Sequence, residues 1–121
     1  MIKEVNFNNK ILTMITNNKV VTKKMSGLIG QTILCDNKVI VRLKVTEETE
    51  ELNVLCLNSD GGIVWQVQDP DMWRTGKRYE FSDLFGFIWI EEDGSLWGRG
   101  GQSVYQIDKE TGKILQEVFT K

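Results

Sequence analysis

Along most of the chain, hydrophobic and polar positions alternate with a period of two, which is the pattern of strands and not of helices. The segment Ile11-Leu12-Thr13-Met14-Ile15-Thr16, the pair Asn17-Asn18 and then Lys19-Val20-Val21-Thr22-Lys23 predict a hairpin, because asparagine tolerates the positive φ of a tight turn. Lys38–Val45 alternates with many β-branched residues, as a half-buried strand does. Leu52–Leu57 and Ile63–Val67 flank Asn58-Ser59-Asp60-Gly61-Gly62, a turn in which Asn and Asp bond back to nearby backbone and glycine supplies positive φ. Phe87–Glu91, Ser95–Arg99, Ser103–Ile107 and Lys113–Phe119 continue the series, separated by turns at Glu92-Asp93-Gly94 and Asp108–Gly112. Residues 68–84 lose the alternation, contain the sole proline (Pro70) and are expected to be the longest connection, with a short helical turn at 82–85. The expectation is an all-β, antiparallel meander of nine or ten short strands.

The chain also resembles itself. Shifted by 50 residues, Val54 falls on Val104, Leu57 on Ile107, Asn58 on Asp108, Gly62 on Gly112, Val64 on Ile114 and Gln66 on Gln116. A repeat of this length in a β-rich chain decides the architecture. Asn53–Gln66, and more strongly Gly101–Leu115 with its Asp108, Thr111-Gly112 and following apolar strand, resemble the outer hairpins of quinoprotein-dehydrogenase-like (PQQ-like) β-propeller blades. The resemblance implies two blade-like repeats, at 36–67 and 85–121, after an N-terminal hairpin at 1–35 and around the connection 68–84, all in one domain. It implies that Val104, Ile107, Ile114 and Leu115 pack between sheets. It does not extend to the cofactor: a quinone site sits at the centre of a complete ring, and two blades of 40–50 residues cannot close one. No cofactor is expected. A β-sandwich or small barrel built from the same hairpins is the alternative.

Composition removes several chemistries. The 121 residues include no histidine, which excludes Ser-His-Asp and Cys-His catalysis, imidazole general bases and His-ligated zinc. Cys35 and Cys56 lie singly within apolar runs and read as buried small hydrophobes, not as a CxxC or a disulfide framework. Glu91, Glu92 and Asp93 read as an exposed turn, and Asp69-Pro70-Asp71 lacks the ligand spacing of a calcium loop. No metal is expected. The N-terminus has no export signal and no run approaches 18 apolar residues, so a cytoplasmic protein away from membranes is expected.

Charge is divided unevenly. Residues 1–45 hold eight basic against two acidic side chains, +6, while the remainder holds seven against fifteen, −8. Lysines 10, 19, 23, 24, 38 and 44 could serve a nucleic acid, but lysine on strands also guards sheet edges against pairing. Trp73, Arg74, Arg78 and Tyr79 in the long connection, and Trp97 and Arg99 at the glycine-rich loop 97–102, are the types most enriched at interface hot spots, whereas Trp65 and Trp89 lie within apolar strands and read as core. The functional expectation is therefore a non-enzymatic protein-interaction module, an inhibitor or immunity-type protein being a narrower form. Its contact residues are Trp73, Arg74, Arg78, Tyr79, Trp97 and Arg99, and its partner is another protein or a second copy of itself. A nucleic-acid-binding domain is the second reading and a carboxylate or cysteine enzyme the third.

Overall fold

A computed structural model describes residues 1–46, 52–76 and 84–119. The protein is an all-β antiparallel meander. Its strands are β1 (Ile2–Asn8), β2 (Ile11–Thr16), β3 (Val20–Lys24), β4 (Ile29–Cys35), β5 (Lys38–Leu43), β6 (Val54–Leu57), β7 (Ile63–Gln66), β8 (Phe85–Ile90), β9 (Leu96–Gly100), β10 (Ser103–Ile107) and β11 (Ile114–Phe119). The described residues thus hold eleven strands, against nine or ten expected. They form three sheets in chain order: β1-β2-β3, β4-β5-β6-β7 and β8-β9-β10-β11.

The segment expected as one N-terminal hairpin, 1–35, is divided between two sheets. β1 adds to the β2–β3 hairpin through a turn with Asn9 at φ 55°, and β4 pairs with β5. The β4–β5 link is two residues long, Asp36 and Asn37, at φ 50° and 60°, the positive-φ pair that a two-residue hairpin favours because its twist matches that of the strands. The second sheet therefore begins before residue 36, with β4.

The sheets stack face to face. One core lies between the first and second, built from Leu12 and Met14 on one side and Val39, Val41, Leu43, Leu55 and Leu57 on the other. The other lies between the second and third, with Ile40, Val54, Cys56, Trp65 and Val67 against Phe85, Ile88, Leu96, Tyr105, Ile107 and Ile114. The middle sheet is covered on both faces, so all four residues of β6 are buried.

Two amide side chains clamp the second sheet to the third. Buried Asn53 donates to the carbonyls of Leu43 (2.8 Å) and Phe85 (2.6 Å) and accepts from the Phe85 amide (2.9 Å). Gln31 donates to the carbonyl of Ile88 (2.9 Å), accepts from its amide (3.0 Å) and is itself fixed by Arg42 at 2.7 Å. In an apolar interface such backbone groups must find partners, and these two side chains supply them.

The two four-stranded sheets share a construction. Each has a bulge at the start of its first strand, at Ile29/Gln31 and Phe85/Phe87, and another in its fourth, where Val64 and Leu115 are the extra residues opposite Cys56/Leu57 and Gln106/Ile107. The offset of 50 holds for β6 and β10 but slips by one inside the turn. The left-handed glycines are Gly61 (φ 86°) and Gly112 (φ 77°), so Gly61, not Gly62, is the counterpart of Gly112. Ile107 and Ile114 pack between sheets as expected, whereas Val104 is only half-buried and Leu115 is exposed.

The connection after β7 carries α1 (Pro70–Thr75). The carboxylate of Asp69 accepts from the Asp71 amide as the N-cap, Pro70 occupies the first turn, and Gly76 in the left-handed region ends the helix. The helical turn expected at 82–85 is corrected accordingly: Phe85 opens β8, while Ser82 and Asp83 lie outside the described residues, as does the acidic segment 47–51. No helix among the described residues is long and apolar enough to cross a membrane.

Candidate functional site: the open face of the third sheet

Alternation along β8–β11 sends one set of side chains into the core and leaves the other on a face that no described element covers. Cross-strand register arranges that face in two rows. Phe87 lies opposite Arg99, Arg99 opposite Val104, and Val104 opposite Val118. Trp89 lies opposite Trp97, Trp97 opposite Gln106, and Gln106 opposite Gln116. Phe87 is 52% and Val118 45% exposed, and the rings of Phe87 and Trp89 stack with centroids 5.9 Å apart at 26°. Two tryptophans, a phenylalanine and two valines thus form one apolar field around a single cation, Arg99.

The polar atoms of this field are held in place. The Trp89 indole donates to the Glu91 carboxylate at 2.7 Å, the Trp97 indole to the Ser95 hydroxyl at 2.9 Å, and the Gln116 amide to Gln106 at 2.6 Å. Asp93 accepts from the amide and hydroxyl of Ser95, and the hydroxyl bond holds its carboxyl below the usual range. The turn bearing Glu91, Glu92 and Asp93 is exposed, as expected, and anchors both indoles. With their N–H groups engaged locally, the indoles present hydrocarbon to whatever meets the face.

The opposite face packs Phe85, Ile88, Leu96, Tyr105 and Ile107 against the second sheet and needs a glycine among them. A Cβ at Gly98 would sit 2.6 Å from the Phe85 ring, so only glycine lets Phe85 lie across β9 and meet Tyr105 edge to face at 5.9 Å.

The expected contact residues do not share one surface. Trp97 and Arg99 are brought together on the open face, but within strand β9 and not in a loop. Trp73 is half-buried on α1 and packs against the core between the second and third sheets. Arg74 points the same way, with Asp71 at 3.0 Å and Glu117 at 3.8 Å, and Glu117 accepts from the buried Ser103 hydroxyl at 2.6 Å. The neighbouring Tyr105 hydroxyl is buried without a hydrogen-bond partner among the described residues, and burial pushes its ionisation up to about 12. Arg78 and Tyr79 lie outside the described residues. Trp65 is core as expected, its indole donating to the Lys109 carbonyl at 2.7 Å. Trp89, expected in the core, lies on the open face, because Ile88 takes the inward position of its strand. Sequence reasoning missed Phe87, Trp89, Val104 and Val118 as a group: the i, i+2 spacing of Phe87 and Trp89 showed that they share a side, but Val104 and Val118 join them only through cross-strand register.

Three of the six lysines of the nucleic-acid reading are engaged within the fold. Lys19 pairs with Asp60, Lys38 pairs with Glu110 at 3.3 Å, and Lys23 takes the inward position beside Leu12. The cysteines line a shallow surface depression with Asp36, Lys38, Ile40, Lys109 and Glu110. Burial raises both thiols, Cys56 to about 11, so neither is a thiolate at neutral pH. They stand on β4 and β6 with β5 between, about 10 Å apart by strand spacing, too far to join as a disulfide. Among the described residues no three His, Cys, Asp or Glu side chains are placed to hold a metal.

The sequence matches a family model, "Domain of unknown function (DUF7957)", over residues 2–119. No curated protein matches it. The fold is similar to the crystal structure of the computationally designed Ika8 protein, with a TM-score of 0.53 and 9% sequence identity over 97% of this chain and 36% of that one. The chain thus spans about a third of that protein's length.

Proposed function

We propose, for a chain that belongs to the domain family of unknown function DUF7957, a non-enzymatic role as a protein-interaction module whose contact surface is the open face of β8–β11. The observation that carries this reading is the field of Phe87, Trp89, Trp97, Val104 and Val118 around Arg99. Contiguous apolar patches on soluble domains mark contact sites, and Trp and Arg are the types that dominate binding energy there. The raised thiols and the absence of histidine argue in the same direction, since they leave no thiolate nucleophile at neutral pH and no imidazole base. We read the second and third sheets as the two blade-like units, a reading supported by their shared bulges and glycine turns.

Photo-crosslinking in cells tests the site. A benzophenone amino acid at position 104, in the middle of the face, should form adducts with protein, and the same probe at exposed position 113, off the face, should form far fewer. An absence of adducts from position 104 would remove the face from consideration.

A further inference from the structure

Within the chain, one stacking step occurs twice. The turn between β6 and β7 leans on β3, the last strand of the sheet before it: a Cβ at Gly61 would lie 3.3 Å from Val21, and Asp60 pairs with Lys19. The turn between β10 and β11 leans on β7, where a Cβ at Gly112 would meet the Trp65 ring at 2.6 Å, and Glu110 pairs with Lys38 of β5 in the same sheet. At each step a sheet offers one face to its predecessor and the other to its successor. Leu55 and Leu57 look back to the first sheet, and Tyr105 and Ile107, at the same positions 50 residues on, look back to the second. Val54 and Cys56 look forward into a core, whereas their counterparts Val104 and Gln106 look forward to nothing described. The first sheet has the complementary lack. Register places Ile11, Thr13 and Ile15 of β2 with Val20, Thr22 and Lys24 of β3 and with Glu4, Asn6 and Asn8 of β1 on its backward face, and Val20 is 64% exposed.

We propose that these two faces meet in a second copy of the chain, the third sheet of one molecule stacking head to tail on the first sheet of the next. This rests on the reading of the open face as a protein contact and names its occupant. Charge favours this pairing over face-to-same-face contact. By register the backward face of the first sheet carries Glu4 and Lys24, while the open face of the third sheet carries Arg99 beside the acidic turn 91–93. Head-to-tail contact sets opposite charges together; a two-fold contact of third sheets would oppose two Arg99 guanidiniums and two acidic turns. A heterologous contact of this kind closes into a ring or extends as a filament.

Sedimentation velocity on the full chain tests it with two variants at exposed positions, F87D on the third-sheet face and V20D on the first-sheet face. At about 100 μM, a concentration at which an interaction of modest affinity is populated, wild type should be oligomeric and each variant monomeric. An equimolar mixture of the two should restore a heterodimer, because each molecule keeps the face the other lacks. Circular dichroism confirms that both variants are folded. A monomeric wild type, or a V20D that assembles like wild type, would overturn the head-to-tail contact. The crosslinking above keeps the two proposals apart: adducts from position 104 to other proteins alone leave the contact face standing and refute its occupation by a second copy.

Discussion

Replacing Asn53 by alanine should be among the most damaging single changes in the protein. Its amide makes three hydrogen bonds of 2.6–2.9 Å, two of them to Phe85, and it is 1% exposed. Alanine leaves the Phe85 amide unpaired in the core and takes a donor from each of two buried carbonyls, where water has no ready access. A buried hydrogen bond contributes about 1 kcal/mol net, and an orphaned polar group costs about 1–3 kcal/mol. The combined loss is about 2–4 kcal/mol, out of the roughly 5–15 kcal/mol typical of a domain. For a chain of this size that lowers Tm by roughly 10–15 °C. The control is Asn58→Ala, which removes two bonds of 2.9 Å, from the amides of Asp60 and Gly62, at an exposed turn. There water replaces the lost partner, and the loss should be about 1 kcal/mol or less. Urea and thermal unfolding of both variants, followed by circular dichroism, measure the difference. If Asn53→Ala costs no more than Asn58→Ala, Asn53 is not the clamp between sheets.

Gly112→Ala should cost at least about 2 kcal/mol, since it combines a left-handed φ of 77° with a Cβ 2.6 Å from the Trp65 ring; the shift in unfolding midpoint, with tryptophan emission reporting on Trp65, reads this out. Stability should fall as pH rises from about 9 to 12: Cys56 and Tyr105 keep their protons in the fold up to about 11 and 12, whereas the unfolded chain releases them from about 9 and 10. Urea titrations at pH 8 and 11 measure the slope, and Cys56→Val should remove part of it. Native protein should react slowly with iodoacetamide at Cys56 and should form no Cys35–Cys56 disulfide under mild oxidation; peptide mapping that finds this bridge would contradict the separation of β4 and β6.

Much of the fold was legible because its turns carry their own chemistry. Asn17-Asn18, Asn58–Gly62, Asp93-Gly94 and Asp108–Gly112 mark hairpins by residue type alone, and alternation fills the strands between them. What alternation lacks is a sign. It groups Phe87 with Trp89 and Trp97 with Arg99, but which side is covered depends on a sheet distant in sequence, and so Trp89 was expected inside. β1 was missed because its bulge at Ile2/Glu4 breaks the period and its outward residues are polar. Asp69-Pro70-Asp71 reads equally as a turn or as a cap followed by a first-turn proline, and only the helix that follows decides. Asn53 and Gln31 could not be read at all, since their partners are backbone groups 32 and 57 residues away.

The burial of the middle sheet on both sides has a consequence for how the sequence can drift. A substitution on β6 is judged by two cores at once, so Val54, Leu55, Cys56 and Leu57 leave almost no room for variation. Among the described residues, the backward face of the first sheet and the forward face of the third answer to no neighbour. Across the family, change should collect at those two ends, where it alters what the domain meets and leaves the stack itself intact.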